Sequence, residues 1–291
     1  MENGSLARPK PRAERDMRFV LHPADDTAYA HYEGSDANPF EPAAAGISRM
    51  NAWWLAEAAL LAYWPPAIAI ARFRAAGMES AFIEQRGVQC YVSVAPAFAI
   101  VSFRGTEVDD LQDVFDDARF ALVRWNEAGA KVHHGFREAF DRMEAGLANA
   151  LASIGPERTL WFSGHSLGGA LAVLAADRFG RTSGILSIGS PRVGNAAFAT
   201  AFAARFGAVT ARYVSNRDLV TRVPPRRPFG YEHVGELRQI DSNGDVSGAA
   251  PPAIALAERI KDLARTQEAL LDHMPRGYSV DIWNDYARSG G

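Results

Sequence analysis

The chain has 291 residues, of which 48% are hydrophobic and 22% are charged, fractions that are typical of globular proteins. It has 31 Lys and Arg and 34 Asp and Glu, which give a net charge of −3. Nucleic-acid-binding proteins usually carry a basic domain or a basic stripe, so this charge argues against that class of protein. Since Cys90 is the single cysteine, no intramolecular disulfide can form. A length of about 150 residues per domain would suggest two domains, but one α/β domain can use the whole chain.

The sequence as it stands predicts neither a secretory signal nor a membrane-spanning segment. The longest apolar run, 58–71, contains two prolines and is shorter than the ~18 residues that a spanning helix needs. No apolar stretch follows the basic residues of the N-terminus, so for the chain as it stands we expect a cytoplasmic location, while secretion stays open. Residues 1–17 are polar and predict a mobile arm, with a docking segment as the alternative, and residues 18–291 then form one domain.

The hydrophobic periodicity predicts an α/β fold. An apolar helix opens at Ser48 and ends before Pro65, and a second helix follows over 67–76. Two strands then form a hairpin around 95–97. Further on, strands alternate with helices, which predicts βαβ units and a mainly parallel sheet. These elements are strands at 159–164, 185–190, 209–215 and 233–240, and helices at 167–180, 195–207 and 252–271.

The sequence Gly164-His165-Ser166-Leu167-Gly168 is a G-x-S-x-G motif between a predicted strand and a predicted helix. In this context a serine sits on a sharp strand-to-helix turn with its Oγ exposed, which suits a nucleophile. The start of the following helix also offers free N–H groups to a developing negative charge. We therefore predict that Ser166 is a catalytic nucleophile.

A nucleophilic serine needs a base and an acid that orients the base, and in this fold the chain order is Ser, acid, His. That order leaves His233 and His273 as candidate bases. We favour His273, which follows a long helix and precedes Pro275, over His233, which stands near the start of a predicted strand. Asp218 is the predicted acid, because it opens a loop directly after a strand.

An oxyanion hole and a lid are predicted from two further segments. The backbone N–H of Leu167 is one expected oxyanion donor, and Thr106, in a loop after a strand, is the other. The next residues, 107–122, predict an amphipathic helix with Asp on its opposite face, and its position after the oxyanion loop suggests a lid. The apolar face of this predicted lid consists of Leu111, Val114, Phe115 and Leu122, with Ala118 between them.

Several segments together resemble the class 3 lipases, the fungal-type triacylglycerol lipases and their bacterial relatives within the α/β-hydrolase fold. The matching segments, in family order, are SFRGT (102–106), KVHHGF (131–136), FSGHSLGGA (162–170), IGSPRVGN (188–195), RYVSNRDLVTRVPP (212–225), GYEHVGE (230–236) and DHMPRGY (272–278). The resemblance implies the triad Ser166, Asp218 and His273, the oxyanion donors Thr106 and Leu167, and a lid at 107–122. It places His233 outside the triad. The chain departs from secreted fungal members in that it cannot form their disulfides, and its first 45 residues match nothing in the family.

From these observations we expect a serine-dependent hydrolase of carboxylic esters, most simply of acylglycerols, that contacts a lipid interface transiently. We expect no cofactor and no metal, because the sequence has no H-E-x-x-H pattern or carboxylate cage. A short-chain carboxylesterase or a phospholipase of the same fold is the alternative. An α/β-hydrolase that serves only as an interaction module is a second one, although such proteins usually lack a triad member.

Overall fold

The computed structural model describes residues 7–105, 120–126, 128–248 and 266–290. Its strands are β1 (Glu79–Gln85), β2 (Val88–Val94), β3 (Phe98–Phe103), β4 (Leu122–Arg124), β5 (Lys131–His133), β6 (Thr159–His165), β7 (Gly184–Ile188), β8 (Gly194–Asn195), β9 (Thr210–Ser215), β10 (Tyr231–Glu232), β11 (Glu236–Ile240) and β12 (Val246–Ser247). Its helices are α1 (Met17–Leu21), α2 (Arg49–Leu61), α3 (Pro66–Ala75), α4 (His134–Ala152), α5 (Leu167–Phe179), α6 (Ala196–Phe206), α7 (Thr266–Leu271) and α8 (Pro275–Arg288).

Within the described residues, eight strands form a central sheet in the order β1-β2-β3-β6-β7-β9-β11-β12. The neighbouring pairs from β3 to β11 are parallel, whereas β1, β2 and β12 add antiparallel edges. The predicted α/β fold with a mainly parallel sheet is therefore confirmed. A smaller sheet, in the order β10-β8-β5-β4, lies beside it. Because parallel strands end at the same edge, the loops after β3, β6, β7 and β9 meet at one edge of the central sheet.

Two hydrophobic layers enclose the sheet, because successive side chains of each strand point to opposite faces. In β6, Trp161 packs with residues of α2 and α8, whereas Leu160 and Phe162 pack with residues of α4, α5 and α6. Ser48 caps the N-terminus of helix α2, because its side chain accepts a hydrogen bond from the Asn51 N–H, and the helix is buried on nearly all sides. Burial all round explains why this helix is mostly apolar, with Asn51 and Glu57 as its buried polar residues.

One predicted strand is shorter in the structure, and one predicted helix lies mostly outside the described residues. Of the strand predicted over 233–240, only Glu236–Ile240 forms a strand, β11, while β10 (Tyr231–Glu232) precedes it and belongs to the other sheet. Gly235 lies between them with φ of 83°, a conformation that favours glycine and interrupts a continuous strand. Of the helix predicted over 252–271, α7 is the part within the described residues.

The predicted lid lies outside the described residues except at its end. Leu122 is the first residue of β4, where it pairs with His133 of β5, and it is not part of a helix. Its assignment to a helical lid face was therefore wrong. The cause is that β4 satisfies its backbone groups by pairing with β5, a partner that helical spacing within one segment cannot reveal.

Residues 7–16, which we name the N-terminal strap, lie along α8. The indole N–H of Trp283 donates to the carbonyl oxygen of Arg8 at 2.8 Å. The Asn284 side chain accepts from the Lys10 N–H at 2.7 Å and donates to the Lys10 carbonyl at 3.0 Å. We expected a mobile arm over residues 1–17, with a docking segment as the alternative. The contacts of residues 7–16 are those of a docking segment.

None of the helices in the described ranges combines the length and the apolar character needed to cross a membrane.

Candidate active site

The nucleophile candidate sits on a strained turn. Ser166 connects β6 to α5 with φ of 58° and ψ of −131°, which is rare for a residue with a side chain. The turn is fixed by backbone hydrogen bonds: the Ser166 N–H donates to the Ile188 carbonyl at 2.9 Å, and the Gly169 N–H donates to the Ser166 carbonyl at 3.0 Å. The strain is therefore held by the neighbouring strand β7 and by the first turn of α5.

The two glycines of the motif allow this turn to pack closely. A Cβ atom on Gly164 would lie 2.2 Å from the carbonyl carbon and oxygen of Gly168. A Cβ atom on Gly168 would lie 2.3 Å from the carbonyl oxygen of Phe103 in β3. Since backbone atoms cannot move aside cheaply, both positions require glycine, and the G-x-S-x-G spacing has a steric cause.

Asp218 and His273 form a buried pair. His273 Nδ1 lies 2.8 Å from Asp218 Oδ2, and both side chains are almost completely buried. A carboxylate accepts hydrogen bonds, so Nδ1 carries the proton and Nε2 is left as a basic nitrogen. Asp218 lies in the loop after β9, and His273 lies in the loop between α7 and α8. These two loops bring the predicted acid and the predicted base together.

Two buried polar atoms complete this arrangement. Within the described part of the chain, Ser166 Oγ and His273 Nε2 are buried and have no hydrogen-bond partner. Buried polar atoms are nearly always hydrogen-bonded, so two of them in one site need an explanation. They are the oxygen and the nitrogen between which a proton would pass if Ser166 acted as nucleophile and His273 as base.

Tyr278 supports the acid, a role that the sequence analysis missed. Its hydroxyl donates to Asp218 Oδ2 at 2.6 Å and accepts from the Ser215 N–H at 2.8 Å, while Val220 N–H donates to Asp218 Oδ1 at 2.9 Å. Burial, and next the charge of Asp218, raise the pKa of Tyr278 well above its ordinary value. Tyr278 therefore stays a donor. A tyrosine five residues after His273, near the start of α8, is only a weak sequence signal for this role.

His165, the residue before the nucleophile, supports the base. Its Nε2 lies 2.8 Å from the carbonyl oxygen of His273 and must donate to it, so its Nδ1 accepts from the Tyr63 hydroxyl at 2.8 Å. Burial, and next the neighbouring His273, lower the pKa of His165 well below its ordinary value. His165 is therefore a neutral structural group. The sequence excluded it as a base but gave no sign of this bond.

Two other glycines make room for the site. Gly189 has φ of 56°, and a Cβ atom there would lie 2.9 Å from Asp218 Oδ2 and 3.1 Å from His273 Nδ1. A Cβ atom on Gly105 would lie 2.2 Å from the Tyr63 hydroxyl and 3.1 Å from Ser166 Cβ. The loop after β3 thus reaches the nucleophile.

Of the two predicted oxyanion donors, the structure describes Leu167 but not Thr106. Leu167 is the first residue of α5, where backbone N–H groups have no intrahelical acceptor, and it directly follows Ser166. Thr106 lies outside the described residues, as do Leu111, Val114 and Phe115 of the predicted lid. Gly105, the residue before Thr106, is in place beside the nucleophile.

The rival base, His233, is engaged elsewhere. Its Nε2 donates to the carbonyl oxygen of Thr221 at 2.8 Å, whereas the Asp218 carboxylate binds His273. Burial, and next the nearby charge of Arg212, lower the pKa of His233 well below its ordinary value. The geometry therefore favours His273 as the base. In the described ranges, no group of three or more His, Cys, Asp or Glu side chains could hold a metal ion.

A central, mainly parallel sheet with a serine on its strand-to-helix elbow and an Asp–His pair in the adjoining loops defines the α/β-hydrolase fold. The comparisons with known proteins agree with this assignment. Residues 100–227 match the family model of the class 3 lipases. This match covers less than half of the chain and includes the segments around Ser166 and Asp218 that resemble this family.

Two similar proteins come from fungi. The chain is 34% identical over 155 residues to a lipase of Rhizomucor miehei, an alignment covering 49% of this chain and 42% of that protein. It is 29% identical over 203 residues to the secreted mono- and diacylglycerol lipase LIP1 of Malassezia globosa, covering 65% of this chain and 66% of the relative. Both alignments thus span less than two thirds of the relative.

A solved fungal lipase–inhibitor complex, which served as a model for interfacial activation in lipases, superposes with a TM-score of 0.57. The two chains are 26% identical, and the match covers 67% of this chain and 80% of the other.

Proposed function

We propose that the protein is a serine-dependent carboxylic ester hydrolase that acts on acylglycerols. The observation that carries the proposal is the Asp218–His273 pair, whose unpartnered Nε2 is buried in the same site as the unpartnered Oγ of Ser166. A serine hydroxyl is a weak nucleophile until a positioned base accepts its proton, and an oriented imidazole is such a base.

The proposed reaction proceeds in two steps through an acyl-enzyme. Ser166 Oγ attacks the ester carbonyl while His273 Nε2 takes its proton, and the imidazolium is stabilised by the Asp218 carboxylate. The oxyanion is bound by the Leu167 N–H and, from the resemblance to the family, by Thr106. His273 then protonates the leaving alcohol. Water, deprotonated by His273, attacks the acyl-enzyme and releases the fatty acid.

The relatives support an acylglycerol as the substrate. The Malassezia relative is named a mono- and diacylglycerol lipase, and one from Fusarium solani carries the same activity in its name. Both are named as secreted, so these relatives give no support to the cytoplasmic location that we expected. The fungal lipase–inhibitor complex links the fold to interfacial activation, which supports the proposed transient contact with a lipid surface.

The test is a series of initial rates on p-nitrophenyl esters from short to long acyl chains, measured with and without an emulsion. We expect hydrolysis of the whole series, with a rate increase when a long-chain substrate passes its solubility limit. Ser166→Ala should lose activity by a factor on the order of 10⁶ and lose labelling by a fluorophosphonate. An active Ser166→Ala would overturn the nucleophile. Smooth hyperbolic kinetics with a preference for short chains would make the protein an esterase.

A lid formed by Leu111, Val114 and Phe115 remains a proposal from the sequence, because these residues lie outside the described ranges. If this apolar face covers the site in water, opening exposes it at a cost of about 25 cal/mol per Å² unless a lipid surface receives it. Replacing Leu111 and Phe115 by Ser should then flatten the rate increase on emulsions and spare soluble short-chain esters. An unchanged increase would exclude this lid.

A further inference from the structure

The carboxylate of Asp272 joins the two loops that carry the acid and the base. Asp272 Oδ2 accepts from the Asn216 side-chain amide at 3.0 Å and from the Arg217 backbone N–H at 3.1 Å. Asp272 directly precedes His273, and Arg217 directly precedes Asp218. One side chain therefore holds the residue before the base against the residue before the acid.

The acid loop needs such support, because it starts with a strained residue. Asn216 has φ of 31°, which is uncommon for a residue other than glycine. Its backbone N–H donates to the Ile240 carbonyl at 2.6 Å, and its side chain is held by Asp272. A strained turn persists only where surrounding contacts determine it, so loss of the Asp272 contact should loosen the path from β9 to Asp218.

Asp272 is in turn held by the N-terminal strap. Arg15 Nη2 lies 2.9 Å from Asp272 Oδ1, and the same nitrogen donates to the Glu268 carbonyl at 2.9 Å. The Asp272 side chain is 4% exposed, whereas that of Arg15 is 46% exposed. Because only Asp272 of this ion pair is buried, removing Arg15 leaves a buried carboxylate with less compensation, which disturbs its surroundings.

The electrostatics of Asp272 agree with this dependence. Burial raises the pKa of Asp272 above its ordinary value, and the nearby carboxylate of Asp218 adds to this effect. The Arg217 N–H and the charge of Arg15 act in the opposite direction and stabilise the ionised form. Without Arg15, the carboxylates of Asp272 and Asp218 would lose a nearby cation that offsets their mutual repulsion.

We propose that Arg15 is a positioning residue of the active site, which acts through Asp272 to fix the loop of Asp218 against the loop of His273. This role rests on the proposed hydrolase function. It makes the N-terminal strap part of the catalytic architecture, because the strap places Arg15 on the buried carboxylate. Arg15 itself touches none of the reacting atoms.

The test compares Arg15→Gln with a matched control, Arg49→Gln. Arg49 also pairs with an aspartate of the C-terminal region, Asp285 of α8, at 2.9 Å, and its side chain is 56% exposed. The rate of hydrolysis of a soluble short-chain ester is divided by the number of sites that a fluorophosphonate labels at completion. This quotient is kcat per labelled site, and it does not change when part of the protein is unfolded. Replacing a residue that only stabilises the fold reduces the amount of folded protein, so it should leave this quotient unchanged.

For Arg15→Gln we expect kcat per site to fall about tenfold, since small misplacements of a catalytic group are costly, with KM within about twofold of wild type. Arg15→Lys, which keeps the charge, should recover most of the rate. Arg49→Gln should stay within about twofold of wild type. A kcat per site unchanged in Arg15→Gln, or an equal loss in Arg49→Gln, would overturn the proposal.

Hydrogen exchange separates this proposal from the proposed function. The Arg217 amide donates to Asp272, so its exchange should become faster in Arg15→Gln and stay unchanged in Arg49→Gln. A wild-type protein that neither hydrolyses esters nor reacts with the fluorophosphonate would overturn the hydrolase function. Faster exchange in Arg15→Gln would then still support the positioning of the acid loop by Arg15, and unchanged exchange would overturn it.

Discussion

His165 donates a hydrogen bond of 2.8 Å from Nε2 to the backbone carbonyl oxygen of His273. The residue before the nucleophile thus fixes the backbone of the base, and the two imidazole rings lie 4.3 Å apart between centroids. Tyr63 completes the chain, because its hydroxyl donates to His165 Nδ1. The strand-to-helix elbow and the base loop are therefore joined by a bond that does not involve Ser166 Oγ.

The neutral state of His165 predicts an acid sensitivity. Its pKa in the folded protein is lowered by burial from about 6.5, so below that pH the unfolded chain binds a proton that the native state excludes. The stabilisation is complete above about pH 6.5 and is lost as the pH falls, by up to about 1.4 kcal/mol per pH unit for this group. Urea unfolding between pH 5 and 7 should show a shallower pH dependence in His165→Gln than in wild type. Parallel curves for the two proteins would contradict a buried neutral His165.

The identity of the base is tested by two substitutions. His273→Ala should be as severe as the loss of the nucleophile, a factor on the order of 10⁶ in kcat, because triad members act as a unit. His233→Ala removes the donor to the Thr221 carbonyl and should cost about 1–3 kcal/mol of unfolding free energy with a modest change of rate. Both variants are measured by ester hydrolysis and by urea unfolding. A reversed outcome would assign the triad to Ser166, Asp218 and His233.

Tyr278→Phe should weaken the acid without removing it. The variant takes away the donor to Asp218 and the acceptor for the Ser215 N–H, and should cost about 2 kcal/mol of unfolding free energy and about tenfold in kcat. Tyr286→Phe is the control on the same helix, because its hydroxyl donates to Asn38 Oδ1, away from the pair. It should lower the stability by about 1 kcal/mol or less with kcat unchanged. Equal rates in the two variants would show that Tyr278 does not support catalysis.

The predicted triad residues followed from local patterns and chain order. A strand, a G-x-S-x-G turn and a helix identify Ser166, and the order Ser, acid, His leaves few candidates for the other two. Tyr278 and His165 could not be assigned their roles in this way. The partner of Tyr278 is 60 residues away in the chain and that of His165 is 108 residues away, so neither pair has a sequence pattern.

The same limit explains the two segments that differ from expectation. The polar composition of residues 7–16 predicts mobility, but the strap is held by the backbone groups of Arg8 and Lys10 and by the side chains of Arg12 and Arg15. All of these bind partners in the C-terminal part of the chain, which composition does not describe. Leu122 fits the helical spacing of the segment before it, yet it pairs with His133 in a strand. Non-local pairing decides both cases.

The elbow glycines give a sharp steric prediction. Gly164→Ala places a Cβ atom 2.2 Å from backbone atoms of Gly168, so the turn beneath Ser166 must open. We expect a loss of more than about 4 kcal/mol in unfolding free energy, or failure to fold. Gly207→Ala is the control, because Gly207 has helical angles (φ −56°, ψ −40°) and its added Cβ would come no closer than 3.6 Å to Ala203. That variant should gain about 0.4–1 kcal/mol through the lower entropy of its unfolded chain. Urea unfolding measures both changes, and a Gly164→Ala protein as stable as Gly207→Ala would show that the elbow tolerates a side chain at Gly164.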